Sequence, residues 1–449
     1  MPMVFHRLAS AAVCIAGICL GSVPLRSQAT ASTPAPLTLD EAIRRAETNE
    51  PTFAAALAEG KATALERKDA IAGMLPSAVY HNEYLFTQSN GTQAVTTQGG
   101  VSESLPVFIA NNAIHEYFSQ GSVTETVGLS KYAALKSADA NAARAAAELE
   151  VARRGLVQTV VGLYYTSGSA NQKIVVAERA MDEANRFVDV TTKRENAREA
   201  AHADVIKARL SQQQRQRELD DAKLAADKAR LELGVLLFPD PATPYTLAPA
   251  DTPPLLPDRA TIEAAAKSNN PEIRSALAGV QSSEAAALTA KAGLLPDLSM
   301  NFTYGIDAPQ FAKRGPDGAL NLGYSAGATL DIPVWDWLTS VRKVKEAEIR
   351  GQAAKATLTN AQRRLLASLA EYYAEADVAR RQLASLDASV TDARESLRLT
   401  NLRYVNGEGT VLDVVDAQNT LISAENAQAD GVVRYQTALA QLETLTGRL

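Results

Sequence analysis

Two stretches in the second half of the chain alternate regularly between apolar and polar residues. The alternation runs from Asp297 to Ile306 and again from Asn321 to Asp331. A period of two predicts β-strands, so we expect strands at 297–306 and 321–331. The first half of the chain shows a less regular version of the same pattern, which predicts strands at about 77–87 and 99–105.

Long proline-free stretches with a helical period follow the predicted strands. Residues 108–196 and 336–405 contain no proline, and apolar side chains recur in them every three or four residues. This period predicts helices, and helices of such length are expected to pair with one another as coiled coils. A glycine-containing turn at 406–410 and its counterpart at 196–201 each predict a reversal into a returning helix.

The chain carries one layout twice. Pro51 and Pro76 recur as Pro271 and Pro296, and both are displaced by the same number of residues (271 − 51 = 220, 296 − 76 = 220). The first proline of each pair suits the start of a helix, where its missing N–H costs nothing. The second suits the end of that helix. This duplication predicts two copies of one supersecondary unit in a pseudo-symmetric subunit.

The duplication also sets the expected domain boundaries. We expect a first repeat at 37–238, a proline-rich linker at 239–257 and a second repeat at 258–449. The linker holds seven prolines, which is typical of a loop between structured units. The four residues ending at Phe108 (LPVF) resemble those ending at Trp335 (IPVW), so both are expected to lead from a strand into a long helix.

The first 29 residues have the composition of a secretory signal peptide. Arg7 precedes an apolar run from Leu8 to Leu25, and small residues suited to cleavage follow. Cys14 and Cys19 are the two cysteines of the chain, and both lie in this segment. We therefore expect no disulfide in the mature protein. No later stretch approaches about 20 uninterrupted apolar residues, so we expect no transmembrane helix.

Composition and motifs narrow the function by exclusion. The formal net charge is −6 and no basic block stands out, so we expect no nucleic-acid partner. The four histidines are scattered without the spacing of metal ligands, and no glycine-rich phosphate loop or nucleophile motif occurs. We expect no metal site, no cofactor and no enzymatic activity.

The predicted strands allow two interpretations. They could form an amphipathic hairpin packed on a helical core, or they could span a membrane as strands of a β-barrel, which need about 9–11 residues each. Four strands cannot close such a barrel, because about eight is the minimum, so several chains would have to share it. Trp335 and Trp337, which follow the last strand, fit either an aromatic belt at the membrane interface or packing where strands meet helices.

Two motifs in the second repeat resemble those of a known family. They are Ile332–Asp336 (IPVWD) and Arg403–Gln418 (RYVNGEGTVLDVVDAQ). With them, the chain resembles the outer-membrane efflux proteins, the TolC-like channel-tunnels of Gram-negative bacteria, over essentially all of its mature length. The resemblance implies a mainly α fold with a small β part. It also implies a homotrimer in which a transmembrane β-barrel of twelve strands, four per subunit, continues into a coiled-coil tunnel of long helices.

The resemblance also implies a location and a function. Such a protein lies in the outer membrane, in contact with its lipid, and extends into the periplasm. It is the passive exit duct of a tripartite efflux pump or a type I secretion system, and its partners are a periplasmic adaptor protein and an inner-membrane transporter. The alternative is a periplasmic coiled-coil spacer or adaptor without a channel, which would not need paired alternating strands.

Pore and gate residues follow from the same resemblance. Asp413 and Asp416 match aspartates that narrow the pore of the family. Residues three apart share one face of a helix, so three subunits would stack two carboxylate rings, which favour cations. Asp413 has an alternative role as an N-terminal cap of the returning helix. Tyr404 matches a tyrosine that holds the tip closed, and its expected partner is Asp204.

The turns themselves are expected to dock the adaptor. The residues predicted for this role are Arg403, Gly407, Thr410, Arg194 and Arg198, although a tight turn would also explain Gly407 and Thr410. Arg198 stands where the first repeat of the family often has a glycine, and a residue with a Cβ is disfavoured at positive φ. The first turn is therefore expected to be reshaped. Gly409 replaces a basic residue of a well-studied member, so a latch there is expected to be absent or different.

Overall fold

In a computed structural model, the described residues form short and long helices, a four-stranded sheet and a two-stranded ribbon. This architecture confirms the predicted fold class of a mainly α protein with a small β part. The structure describes residues 36–87, 92–96, 102–106, 115–249, 254–316 and 318–446. The signal peptide predicted at 1–29 lies outside these residues, as do positions 250–253 of the predicted linker.

Two sets of elements follow one another in the same order. The first set is α1 (Leu39–Asn49), α2 (Pro51–Ala72), β1 (Ser77–Phe86), β2 (Thr92–Thr96), β3 (Ser102–Pro106), β4 (His115–Val127), α3 (Leu129–Asn196) and α4 (His202–Leu237). The second set is α5 (Arg259–Asn269), α6 (Pro271–Ala292), β5 (Asp297–Ala308), β6 (Leu322–Asp331), α7 (Thr339–Val405) and α8 (Val411–Thr446).

The break between the first two helices of each repeat is set by one cap and one proline. The Glu50 carboxylate accepts a hydrogen bond from the N–H of Phe53 at 2.6 Å. In the second repeat, the Asn270 side chain accepts the equivalent bond from Ile273 at 2.9 Å. The residue that follows each cap is a proline at the first helical position, where it needs no hydrogen-bond acceptor.

The main sheet is antiparallel, in the order β1-β4-β5-β6. Strands β5 and β6 lie where the alternation predicts them. The first repeat differs from the expectation, because the predicted strand at 99–105 corresponds to β3, which pairs with β2 in a separate ribbon. The neighbour of β1 is β4. Its polar positions hide the alternation, since Ser119 and Glu125 share a sheet face with Val123.

The position of β4 also corrects the expected start of the first long helix. Helix α3 begins at Leu129 and not near Phe108. Equivalent helices are displaced by 220 residues before the strands (259 − 39 = 220) and by 210 after them (339 − 129 = 210). From the start of its first helix to the start of its long helix, the first repeat is thus ten residues longer than the second. Leu105 and Pro106 lie in β3, whereas their counterparts Ile332 and Pro333 follow β6, so these residues are not structurally equivalent. Phe108 lies outside the described residues.

The long helices pack side by side. Near the sheet, α3 contacts α2 and α6, and α6 contacts α7; farther away, α3 contacts α4 and α8, and α8 contacts α7. Two equivalent apolar clusters hold these helices together where α1 and α5 dock onto them. Leu156, Val160 and Leu233 belong to the first, and Leu365, Leu369 and Leu442 belong to the second. Within the described residues, no helix has a segment apolar enough to cross a membrane.

One face of the sheet is apolar and is not covered by the other residues that the structure describes. A cross-strand row on this face runs from Tyr80 through Gly121 and Tyr304 to Tyr324, and Tyr324 is 76% exposed. Further exposed members of the face are Tyr84, Val123, Leu298, Met300, Phe302 and Leu330. An uncovered apolar surface of this kind marks a site of interaction with another protein or with a membrane.

Candidate functional site

The two helical hairpins, α3–α4 and α7–α8, end in the same backbone motif. In the first, the N–H groups of Arg198 and Glu199 donate to the carbonyl oxygens of Glu195 and Arg194, both at 2.8 Å. In the second, Gly407 and Glu408 donate to Tyr404 and Arg403 at 3.1 and 2.9 Å. Both patterns are Schellman motifs, which satisfy the last carbonyl groups of a helix.

The first turn is not reshaped, contrary to the expectation from its arginine. Arg198 has a φ of 66° and Gly407 has a φ of 83°, so both residues adopt the left-handed conformation that the motif requires. A side chain costs roughly 1–2 kcal/mol in this conformation. The two hydrogen bonds of the motif and the exposed position of Arg198 allow the chain to keep the turn despite this cost.

The returning helices start differently. Thr410 caps α8: its Oγ1 accepts from the N–H of Asp413 at 3.2 Å, and Asp413 Oδ2 accepts from the N–H of Thr410 at 2.8 Å. This reciprocal arrangement is a capping box. The hydrogen bond from the Thr410 backbone holds the pKa of Asp413 below its usual value, with help from the Thr410 hydroxyl. Helix α4 begins after Ala201, which has no side-chain cap.

The two predicted pore aspartates share one exposed face of α8. One carboxylate oxygen of Asp413 accepts the hydrogen bonds of the cap, and the side chain remains exposed. Asp416, one turn later, is exposed as well. The capping role and the predicted ring role are therefore compatible, and the ring role stays a prediction. In hairpin one the equivalent positions are Asp204 and Lys207, whose charged atoms lie 3.8 Å apart. Only hairpin two presents two carboxylates here.

Tyr404 lies between the two hairpins and is buried. Its hydroxyl donates to Thr191 Oγ1 at 3.2 Å, so within the subunit Tyr404 contacts α3 and not the expected partner Asp204. The Tyr404 ring packs against Phe187, with ring centroids 5.2 Å apart. The guanidinium of Arg194 lies 4.8 Å from the centre of the Tyr404 ring, a distance that suits a cation–π contact.

The predicted docking residues divide into two groups. Arg198, Arg403, Gly407 and Thr410 are exposed at the turns, and their docking role stays a prediction. Arg194 is different, because its side chain is only 16% exposed and donates to the carbonyl oxygen of Tyr404. It therefore ties hairpin one to the end of α7, where a cation also suits the helix dipole.

Sequence reasoning missed the α3 side of this contact. Phe187 and Thr191 are buried and one helical turn apart, so the apolar period of α3 could have indicated that they face a neighbouring helix. It could not have identified that neighbour. The same holds for Glu425, a buried carboxylate on α8 whose two arginine partners come from two other helices.

The sequence is similar to a family of outer membrane proteins and to two characterised bacterial proteins. Residues 264–448 match the family model described as "Outer membrane efflux protein". Protein CyaE of Bordetella pertussis is 26% identical over 323 residues, which cover 71% of this chain and 67% of that protein. Cobalt-zinc-cadmium resistance protein CzcC of Cupriavidus metallidurans is 22% identical over 414 residues, which cover 90% of this chain and 87% of that protein.

A solved structure extends the similarity to the fold. The CmeC outer membrane channel of Campylobacter jejuni matches with a TM-score of 0.76 and 15% identity, over 91% of this chain and 85% of that one. At this identity the match shows the fold alone. It covers both repeats, whereas the family match lies in the second repeat.

Proposed function

We propose that this chain, which is similar to outer membrane efflux proteins, is a passive exit duct. Three copies would form one channel through the outer membrane, continued by a helical tunnel in the periplasm. The duct would serve a tripartite efflux pump or a type I secretion system. Its partners would be a periplasmic adaptor and an inner-membrane transporter, which supplies the energy.

The uncovered apolar face of the sheet is the observation that carries this proposal. From Leu298 to Ala308, strand β5 advances ten residues. At about 3.4 Å per residue and a tilt of about 45°, this stretch would rise about 24 Å. The apolar band of an outer-membrane barrel is about 25 Å tall. The apolar face therefore has the height that a lipid-facing surface needs.

Aromatic residues at the two ends of this face also support a position facing lipid. At one end, the rings of Tyr84 and Tyr117 lie 4.9 Å apart. At the other, Trp335 and Trp337 stack edge to face at 5.8 Å, and Trp337 is 77% exposed. Aromatic residues at both ends of an apolar band are typical of membrane interfaces. This favours the belt interpretation of the two tryptophans over packing at the junction.

The open edges of the sheet support a shared barrel. Among the described strands, β1 and β6 each pair on one side only. Unpaired edges must be covered in a membrane, because lipid offers no hydrogen-bond partners. If β6 of one subunit paired with β1 of the next, three copies of this four-stranded sheet would close a twelve-stranded barrel.

A planar-bilayer experiment tests the duct. We expect the purified protein to require detergent, to migrate as a trimer until heated, and to produce discrete conductance steps when added to a bilayer. A control variant with Tyr324→Asp and Phe302→Asp places charges on the apolar face and should not insert. A protein that stays soluble without detergent and produces no conductance would instead support the spacer alternative.

The carboxylate rings can be tested in the same bilayers. Replacing Asp413 and Asp416 together by Ala should relieve block of the conductance by multivalent cations, because the rings would then lose their charge. Asp227, which is exposed on α4, provides the matched control as Asp227→Ala. Equal block in wild type and the double variant would rule out the ring role while leaving the duct itself in place.

A further inference from the structure

Glu425 on α8 is a buried carboxylate that bonds to both hairpins. Its side chain is 7% exposed. One oxygen, Oε1, accepts from Arg179 Nη1 at 2.5 Å and from Arg394 Nη2 at 2.8 Å. Arg179 lies on α3 in hairpin one, and Arg394 lies on α7 in hairpin two. Separating a buried charge from all its partners is strongly unfavourable, so Glu425 has to keep at least one arginine.

A second carboxylate lies beside Arg179 on its own helix. Glu183 follows Arg179 by four residues, and residues at this spacing are neighbours on a helix surface. Burial raises the pKa of Glu183, while Arg179 is the strongest of the charges that act against this rise. The other charges that act on it are Glu425, Arg186 and Arg394. Arg179 thus has a carboxylate within reach on either hairpin.

Glu425 is also mechanically connected to the predicted pore. It lies on α8 nine residues after Asp416 (425 − 416 = 9), which is about 14 Å along the helix. A pore lined by Asp413 and Asp416 would widen if hairpin two moved away from hairpin one. This motion would separate Arg179 from Glu425, whereas Arg394 and Glu425 would move together because both belong to hairpin two.

We propose that these four side chains form an exchangeable ion-pair link that lets the hairpins separate without leaving a buried charge unpaired. In the observed state, Arg179 pairs with Glu425 across the hairpins. In the separated state, Arg179 pairs with Glu183 on α3, and Glu425 keeps Arg394. The inference rests on the proposed function as a duct, and it assigns Arg394 and Glu183 the role of stabilising the separated state.

Single-channel recordings of the full trimer distinguish this exchange from a rigid structural ion pair. Glu425→Gln should raise the ratio of open to closed time about tenfold, because it removes the link between the hairpins. Arg394→Gln should lower the ratio about tenfold, because separation would then leave Glu425 without a partner. Glu183→Gln should also lower it, because Arg179 loses its alternative partner. A rigid ion pair predicts no decrease for either of the last two variants.

Arg398→Gln provides the matched control. Arg398 lies one turn after Arg394, but its Nη2 pairs with Glu395 at 2.7 Å and not with Glu425, so the ratio should stay as in wild type. If the wild type conducts and Arg394→Gln or Glu183→Gln raises the ratio or leaves it unchanged, the exchange is wrong and the duct remains. A wild-type trimer without conductance would contradict the duct, and with it the exchange. Glu183→Gln keeps the test decisive if a substitution at buried Glu425 prevents assembly.

Discussion

The two hairpin tips share one backbone conformation and differ in the side chains around it. Equivalent positions are related by 209 residues (407 − 198 = 209), and the two Schellman motifs form the same hydrogen bonds. Yet Gly407 corresponds to Arg198, and the capping hydroxyl of Thr410 corresponds to the methyl group of Ala201. The backbone motif therefore tolerates changes in its preferred residues, which leaves the side chains free to specialise.

The carboxylate pair proposed for the pore and the tyrosine between the hairpins both lie in hairpin two. Hairpin two presents Asp413 and Asp416, whereas hairpin one presents Asp204 and Lys207. The position of Tyr404 in hairpin two is taken in hairpin one by Glu195 (404 − 195 = 209), which bonds His202 at 2.6 Å on the surface. Hairpin two thus combines the carboxylates proposed for the pore with the aromatic ring that anchors it to its neighbour.

The largest expected difference between the tips concerns this anchor. Tyr404→Ala should destabilise the subunit by about 3 kcal/mol, because it removes a buried ring that contacts Phe187 and Arg194. Glu195→Ala at the equivalent position of hairpin one should cost less than about 0.5 kcal/mol. Thermal unfolding midpoints of the purified trimers measure both changes. Similar midpoint shifts would show that Tyr404 and Glu195 contribute equally to stability, which would contradict the role of Tyr404 as an anchor.

Many of the helices and turns were predictable from the sequence, because they follow from local patterns. The period of the long helices, the prolines at 51 and 271, and the glycine-containing turn at 406–410 all lie in short stretches of chain. Strand β4 was missed because Ser119 and Glu125 on its apolar face break the alternation. For such a strand, pairing with β1 and β5 determines the structure more strongly than its own pattern.

Other features depend on contacts between residues far apart in the sequence. Arg198 is a local exception, since its conformation was predicted wrongly from its residue type although the hydrogen bonds that hold its turn span only three and five residues. Tyr404 meets Thr191 across 213 positions, and Glu425 meets Arg179 across 246. An isolated charge at an apolar position of a helix gives no indication of which partner neutralises it.

The second difference concerns the left-handed residue of each turn. Arg198→Gly should stabilise hairpin one by roughly 1 kcal/mol, because glycine adopts positive φ without a steric penalty. Gly407→Ala should destabilise hairpin two by a similar amount, since the backbone would be strained whatever space surrounds it. Shifts of the thermal unfolding midpoint in opposite directions are expected. Shifts in the same direction would contradict the equivalence of the two turns.

The smallest expected difference is the pH dependence of the two helix starts. The pKa of Asp413 in the folded protein lies below the ordinary value of 3.8, chiefly because the Thr410 N–H bonds the charged carboxylate. A lowered pKa means that the unfolded chain binds the proton more readily, so Asp413 stabilises the fold above pH 3.8. This contribution is lost as the pH falls through the folded pKa.

The stability difference between wild type and Asp413→Asn should therefore shrink as the pH falls below 3.8. Asp204→Asn is the matched control. Asp204 occupies the same position in α4, but the residue at the cap position there is Ala201, which has no polar side chain to cap the helix. Thermal unfolding of both variants and wild type across this range provides the measurement. If the Asp413→Asn difference stayed constant with pH, the carboxylate would not be stabilising the start of α8 through its charge. The charge in the capping box of hairpin two would then add nothing to the stability of the fold, and the starts of α4 and α8 would not differ in this contribution.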